Sequence, residues 1–198
     1  MIVKRIFDIL ASFFGLLIIS PIILIVALFI KLQMPGPVFF VQTRIGKGGR
    51  EFRLLKFRTM RVKPRTSEGS FDVGDQSRIT GLGKILRKTK LDEVPQLINV
   101  LKGDMSLVGP RPEVKEWTAV YPEQWAIVHQ VQPGITDNAS IEFRNEEELL
   151  AQSSNPEETY RNVILPRKLE LYINYVQHHS FSGDLMIIIR TIQSVILK

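Results

Sequence analysis

Asp92 and Glu93 stand side by side in the segment Leu91-Asp92-Glu93-Val94-Pro95. Aspartate is a favoured helix N-cap, and proline is tolerated in a first turn, where its missing N–H has no intrahelical partner. The pattern predicts a helix that starts at Asp92. A helix N-terminus stabilises negative charge and attracts phosphate, so Asp92 is expected to stay ionised at neutral pH. Carboxylates that face a diphosphate need a cation to offset the repulsion. Mg²⁺ suits that place, because it takes oxygen ligands from one or two carboxylates together with substrate phosphates. An ionised aspartate can also attack phosphorus and form an acyl phosphate. Taken alone, the local sequence leaves a second reading open, in which Asp92 is only a cap.

The cations that such chemistry needs are close in sequence. Arg111 lies between Pro110 and Pro112 in a rigid, non-helical segment, which suits a fixed cation for a phosphate or a planar base. Arg87 precedes the acidic pair by about one helical turn and can reach the same pocket. Arg44, Lys47, Arg50, Arg53, Lys56, Arg58, Arg61, Lys63 and Arg65 crowd one short stretch, opposed only by Glu51. Overall, 26 Lys and Arg against 20 Asp and Glu give a net charge of +6. That balance favours an anionic partner. Anionic membrane lipids and substrate phosphates both fit. Nucleic acid does not, since no aromatic-interleaved basic run or recognition-helix pattern is present. His129, His178 and His179 share no metal-ligand spacing with the carboxylates. Cysteine is absent, which excludes disulfides and thiolate metal sites and fits a reducing compartment.

The elements that must position these groups fall into two parts. Ile6 to Ile30 is almost wholly apolar and long enough to cross a hydrocarbon core of about 30 Å. Asp8, Gly15 and Ser20-Pro21 interrupt it. Pro21 predicts a kink, and the Ser20 hydroxyl is placed to satisfy a carbonyl that the proline frees. Lys4 and Arg5 precede the segment and Lys31 follows it. Positive charge on both flanks is satisfied best by a kinked helix that enters and leaves by one face, with a plain single span as the alternative. Beyond it, Val38 to Val41 and Glu51 to Arg58 read as strands around a glycine-rich basic hairpin, and 63–77 as a polar loop. Ile79 to Lys102 reads as two helices, Glu113 to Val131 as another and Glu146 to Gln152 as a short one. Trp117 and Trp125 fall near one face of their segment, as packing residues. The tail, 182–197, is an apolar helix broken by Arg190 and Gln193, which suits the membrane interface. The fold class is α+β, mainly helical: residues 1–31 a re-entrant membrane helix, 32–198 a small catalytic domain with a short β-hairpin and interfacial helices.

The stretch RITGLGKILRKTKLDEVPQLINVLKGDMSLVGPRP, from Arg78 to Pro112, resembles the long motif of the bacterial sugar transferases known as monotopic phosphoglycosyl transferases. KFRTM, Lys56 to Met60, and QPGIT, Gln132 to Thr136, match two further blocks, and the apolar segment with Ser20-Pro21 is similar to the family's re-entrant membrane helix. The resemblance implies transfer of a phosphosugar from a nucleoside diphosphate sugar, usually a UDP-sugar, to polyprenol phosphate, with release of UMP. It implies a ping-pong route in which Asp92 is the nucleophile and Glu93 holds Mg²⁺ with Asp92 close to the ion. Lys56, Arg58, Arg87 and Arg111 would bind phosphates or the uridine. The setting implied is the cytoplasmic face of the bacterial inner membrane, at the first lipid-linked step of a surface glycan.

After Thr136 the chain departs from the common family pattern. It reads Asp137-Asn138-Ala139-Ser140-Ile141-Glu142-Phe143-Arg144-Asn145, followed by an acidic stretch, Glu146 to Glu158. Arg144 is the candidate for a family arginine there, and the identity of the sugar stays open. So does self-association as a homodimer. Two other readings use the same residues: a membrane-bound diphosphate hydrolase, and a non-catalytic module that binds a lipid surface.

Overall fold

The computed structural model describes residues 2–61 and 78–196. The polar loop expected at 63–77, the cations Lys63 and Arg65, and the last residues of the tail lie outside the described residues. The elements are α1 (Ile2–Gln33), β1 (Phe39–Ile45), β2 (Glu51–Phe57), α2 (Gly81–Lys88), α3 (Gln96–Lys102), β3 (Ser106–Val108), α4 (Lys115–Thr118), α5 (Pro122–Val128), β4 (Gly134–Thr136), α6 (Asn138–Glu142), α7 (Glu146–Ala151), α8 (Pro156–Thr159), α9 (Leu165–His178) and α10 (Phe181–Ile196). This is the expected mainly helical chain with small sheets. β1 and β2 pair antiparallel from Phe39↔Phe57 to Ile45↔Glu51. Their turn uses Gly48 and Gly49, both with the positive φ that glycine adopts without strain. β3 and β4 pair in parallel, Ser106 with Gly134 and Val108 with Thr136, a contact the sequence reading did not anticipate.

α1 runs as one helix through Pro21, so the proline does not end it. Pro21 has no N–H to give the Leu17 carbonyl, and the Ser20 hydroxyl donates to that carbonyl instead, at 2.8 Å. The expected substitution of hydroxyl for amide is there, and the helix stays continuous across the site. α1 is long and apolar enough to cross a membrane, and little of its surface is covered by the rest of the chain.

Polar contacts fasten the start of α1 to the domain. Lys4 donates to the Val108 carbonyl and pairs with Asp184 of α10 at 2.6 Å. Arg5 donates to the Val100 and Leu101 carbonyls at the C-terminus of α3, where a cation also opposes the helix dipole. Asp8, only 2% exposed, accepts from the Ser106 hydroxyl and from the Leu107 N–H. The end of α1 is held differently. Val26, Ile30 and Met34 form an apolar cluster with Phe57 and Leu86, against which Leu91 packs. Between the two ends, Gly15 lies against Leu97 of α3.

The main core sits away from α1. Trp125 and Val128 of α5, Leu150 of α7, and Leu165, Leu169 and Tyr172 of α9 pack together. Trp117 joins them edge-on against Tyr160, so both tryptophans pack as expected. The helix expected over Glu113 to Val131 is two short ones, because Pro122 starts a new helix. α9 is the largest element that the hydrophobic pattern missed. Its buried set includes Lys168, whose ammonium pairs with Glu146 and lies over the Tyr160 ring.

α2 meets the strand segment through a missing side chain. A Cβ on Gly83 would stand 2.1 Å from the Thr59 carbonyl oxygen, so only glycine permits this approach. The same contact lets the Thr80 N–H bond to that carbonyl at 3.1 Å. Gly83→Ala is expected to destabilise the protein by roughly 2–3 kcal/mol or more, because backbone must move to admit the methyl. Chemical denaturation in detergent would measure it.

Candidate active site

Three segments bring charge together. Lys56 stands on β2. Asp92 and Glu93 lie in a single 3-10 turn, Leu91–Glu93, between α2 and α3. Arg111 lies in the Gly109–Pro112 segment that follows β3. Asn99 of α3 locks the first to the second. Its amide donates to the Arg53 carbonyl at 2.8 Å and its oxygen accepts from the Leu55 N–H at 3.0 Å. The backbone of β2 is thereby held against α3, one residue from Lys56.

The expected helix start at Asp92 is corrected here. The helix proper begins at Gln96, with Pro95 as its N-cap, and Asp92 belongs to the preceding tight turn. Lys90 opens that turn with φ 58°, the only positive φ among the described non-glycine residues. A left-handed conformation costs an L-residue roughly 1–2 kcal/mol. The turn holds it on both sides: the Lys90 N–H bonds to the Arg87 carbonyl and the Glu93 N–H to the Lys90 carbonyl, each at 3.2 Å.

Glu93 is doubly held. Lys56 Nζ donates to Oε1 at 2.9 Å, and Arg111 straddles the carboxylate, with one nitrogen on Oε2 at 3.2 Å and the other on Oε1. Burial by itself would raise Glu93, but Arg111 and Lys56 overcome it and hold the carboxyl well below the usual range. Arg111 is pushed up in return, chiefly by Glu93. Burial pulls the Lys56 ammonium down, with Glu93 opposing it.

Asp92 is the reverse case. It is 8% exposed, and its Oδ1 is buried without a hydrogen-bond partner. Burial, with the Glu93 charge next, pushes its carboxyl above the usual range, while Lys56, Lys90 and Arg111 pull the other way. The helix terminus expected to stabilise the Asp92 charge lies instead at Gln96, and burial works against the ionised form. A cation placed beside Oδ1 would favour the ionised form.

The remaining predicted site residues are distributed elsewhere. Arg58 is buried, and its guanidinium donates to the Met34 and Pro35 carbonyls at 2.8 and 2.9 Å. In the free protein these two nitrogens hold the chain at the end of α1, while Nε is buried without a partner. Arg87 donates to the Thr59 hydroxyl at 3.1 Å and forms a two-pronged pair with Glu147 of α7. It is thus tied to the acidic stretch instead of to the carboxylate pair. Arg144 makes no hydrogen bond or ion pair with the pair among the described residues. Ser20 and Pro21 stay within α1. The histidines join no metal cluster among the described residues. Asn99 and Lys90 were missed by sequence reasoning. Asn99 has no signal of its own there, and the only cue at Lys90 was its position between two helical stretches.

The Glu93 pairing sets a pH dependence of stability. Its folded pKa is depressed, so its contribution is fully present above the unfolded value, roughly pH 4.3, and is lost as pH falls toward the folded value. Glu93→Gln is expected to lack this part of the acid dependence. At neutral pH it should lose about 2 kcal/mol, because two partly buried cations lose their counter-charge. Denaturation curves of both proteins between pH 3 and 7 would check the sign.

A family model described as bacterial sugar transferase matches residues 1–198. The chain is 41% identical over 198 residues to a protein of Bacillus subtilis named uncharacterized sugar transferase EpsL, covering all of this chain and 89% of the other. It is 36% identical to the UDP-glucose:undecaprenyl-phosphate glucose-1-phosphate transferase of Caulobacter vibrioides, over 98% of this chain and 69% of that one. It is also 36% identical to the UDP-N-acetylgalactosamine-undecaprenyl-phosphate N-acetylgalactosaminephosphotransferase of Aeromonas hydrophila, of which it spans 44%. A match over the full length means that the chain belongs to the bacterial sugar transferase family.

Proposed function

We propose that this transferase moves a phosphosugar from a UDP-sugar to polyprenol phosphate, by way of a phosphosugar carried on Asp92. The observation that carries the reading is the contrast within the acidic pair. Glu93 is saturated by two cations, whereas Asp92 keeps a buried, unpartnered oxygen. Such an oxygen costs stability in the free protein and becomes useful when a reacting atom meets it. In the first half-reaction Asp92 attacks the β-phosphorus, the bond to the bridging oxygen breaks, and UMP leaves with that oxygen. In the second, an oxygen of the lipid phosphate attacks the same phosphorus and the bond to Asp92 breaks. The Caulobacter and Aeromonas relatives are both named for action on undecaprenyl phosphate and a UDP-sugar.

The residues fit Mg²⁺. Two adjacent carboxylates offer hard oxygen donors, and one of these oxygens has no partner. When bound, the ion would neutralise the diphosphate and keep Asp92 ionised. Asp92 and Glu93 would hold the ion, and Lys56 and Arg111, which stay on Glu93, would add positive charge beside the phosphate oxygens.

The reading also assigns the enzyme to a membrane surface, with α1 entering and leaving by one side. Support comes from its two anchorages, at Lys4–Asp8 and at Val26–Met34, which both belong to one domain. A helix along the bilayer normal would carry one end about 30 Å away from that domain. Leu91, next to Asp92, packs on the second anchorage, which would bring a lipid phosphate emerging there close to the nucleophile. Apolar residues left exposed on β1 (Phe39, Phe40) and on α10 (Met186, Ile189, Ile192) suit the same interface.

Asp92→Asn is expected to lower UMP release by at least about a thousandfold in an assay with a UDP-sugar, Mg²⁺ and undecaprenyl phosphate. Intact-protein mass of the wild type with UDP-sugar alone should rise by one phosphosugar. UMP release with no such adduct would favour a diphosphate hydrolase. Because the chain has no cysteine, single cysteines at Val3 and Lys31 give clean topology probes. Both should react with an impermeant maleimide from the same side of the membrane, and opposite-side labelling would rule out the re-entrant arrangement.

A further inference from the structure

The turn that carries the acidic pair ends on a second unexplained atom. Gln96, the first residue of α3, is 1% exposed, and its Nε2 is buried without a hydrogen-bond partner. No hydrogen bond of the described structure uses this side chain. A buried amide without partners is costly, and an apolar residue of similar volume would fill the same space without that cost. Gln96 follows Asp92 by four residues, and of the three between them Val94 and Pro95 have right-handed helical backbone. Within five consecutive residues there is thus a buried acceptor without a partner, Asp92 Oδ1, and a buried donor without one, Gln96 Nε2. Nothing in the packing of α3 on β2 requires the amide, since Asn99 provides that joint.

We propose that Gln96 donates a hydrogen bond to a non-bridging oxygen of the phosphoryl group while that group is bonded to Asp92. The proposal rests on the ping-pong reading above and adds a substrate-touching residue to it. Lys56 and Arg111 are charged and balance Glu93. A neutral amide adds directional stabilisation of the phosphoryl oxygens without further raising the positive charge beside Asp92. Donors aimed at developing charge in a water-poor site contribute about 10²–10³ in rate when tested singly. The unfavourable burial in the free protein is the counterpart of that contact in the charged intermediate.

The test uses full-length protein in detergent or nanodiscs, with Gln96→Leu and Gln96→Met compared with wild type. Two quantities are read: the melting temperature without ligand, and the single-turnover rate of UMP release with formation of the phosphosugar adduct. The expected result is a melting temperature equal to or above wild type in at least one variant, with adduct formation slowed about 100-fold. A variant that folds and forms the adduct within about twofold of the wild-type rate overturns the proposal. So does a clear drop in melting temperature in both variants, which would mean that the amide is already satisfied in the free protein. If wild type itself forms no adduct, the ping-pong reading fails first; if wild type forms it and both variants match it, only the role of Gln96 fails.

Discussion

Glu93 is the point at which the domain is tied together. Its carboxylate meets a lysine from a β-hairpin, an arginine from the segment after a parallel strand, and the short turn between two helices. Apolar packing on two sides joins the same pieces. Leu54, Val100 and Met105 pack under one side, and the α1 cluster under the other. A buried carboxylate with two cations is costly to assemble and more costly to break. Its geometry is therefore strict, and that strictness passes to Asp92, the adjacent residue, which has no such partners.

The opposite treatment of two neighbouring carboxylates follows from where the cations can reach. Lys56 and Arg111 converge on Glu93 and act on Asp92 only through space. Desolvation then dominates at Asp92, and its carboxyl is left without a paired cation. The strain of Lys90 and the orphan amide of Gln96 bracket the same turn. Unfavourable features gathered in a few consecutive residues are what a site looks like when the protein around it supplies the compensating stability.

α1 is bound into this arrangement. Its first turns carry charge to the C-terminus of α3 and to α10, and its last turns carry apolar side chains to β2 and α2. Arg58 caps the end of the helix two residues after Lys56 on the same chain segment. The apolar helix and the acidic turn thus share one frame. The distance between the exposed apolar face of α1 and Asp92 is set by packing contacts and two short backbone links.

Much was legible without coordinates. The apolar segment, its hydroxyl-for-amide exchange at Ser20-Pro21, the hairpin, the tail helix and the acidic pair are all local patterns, set by periodicity, backbone chemistry and residue type. The role of an individual cation is not local. Arg58, Arg87 and Arg111 look alike as residues in a basic chain, yet one caps a helix, one pairs with α7 and one holds Glu93. The protonation bias of Asp92 depends on how much water the fold removes and on which cations arrive, and neither quantity exists before the segments meet. Sequence by itself determined that this chain has a membrane-seeking helix and a carboxylate pair amid excess positive charge. Only the tertiary structure decided which charge meets which, because contacts between residues far apart along the chain are made by packing and not by spacing.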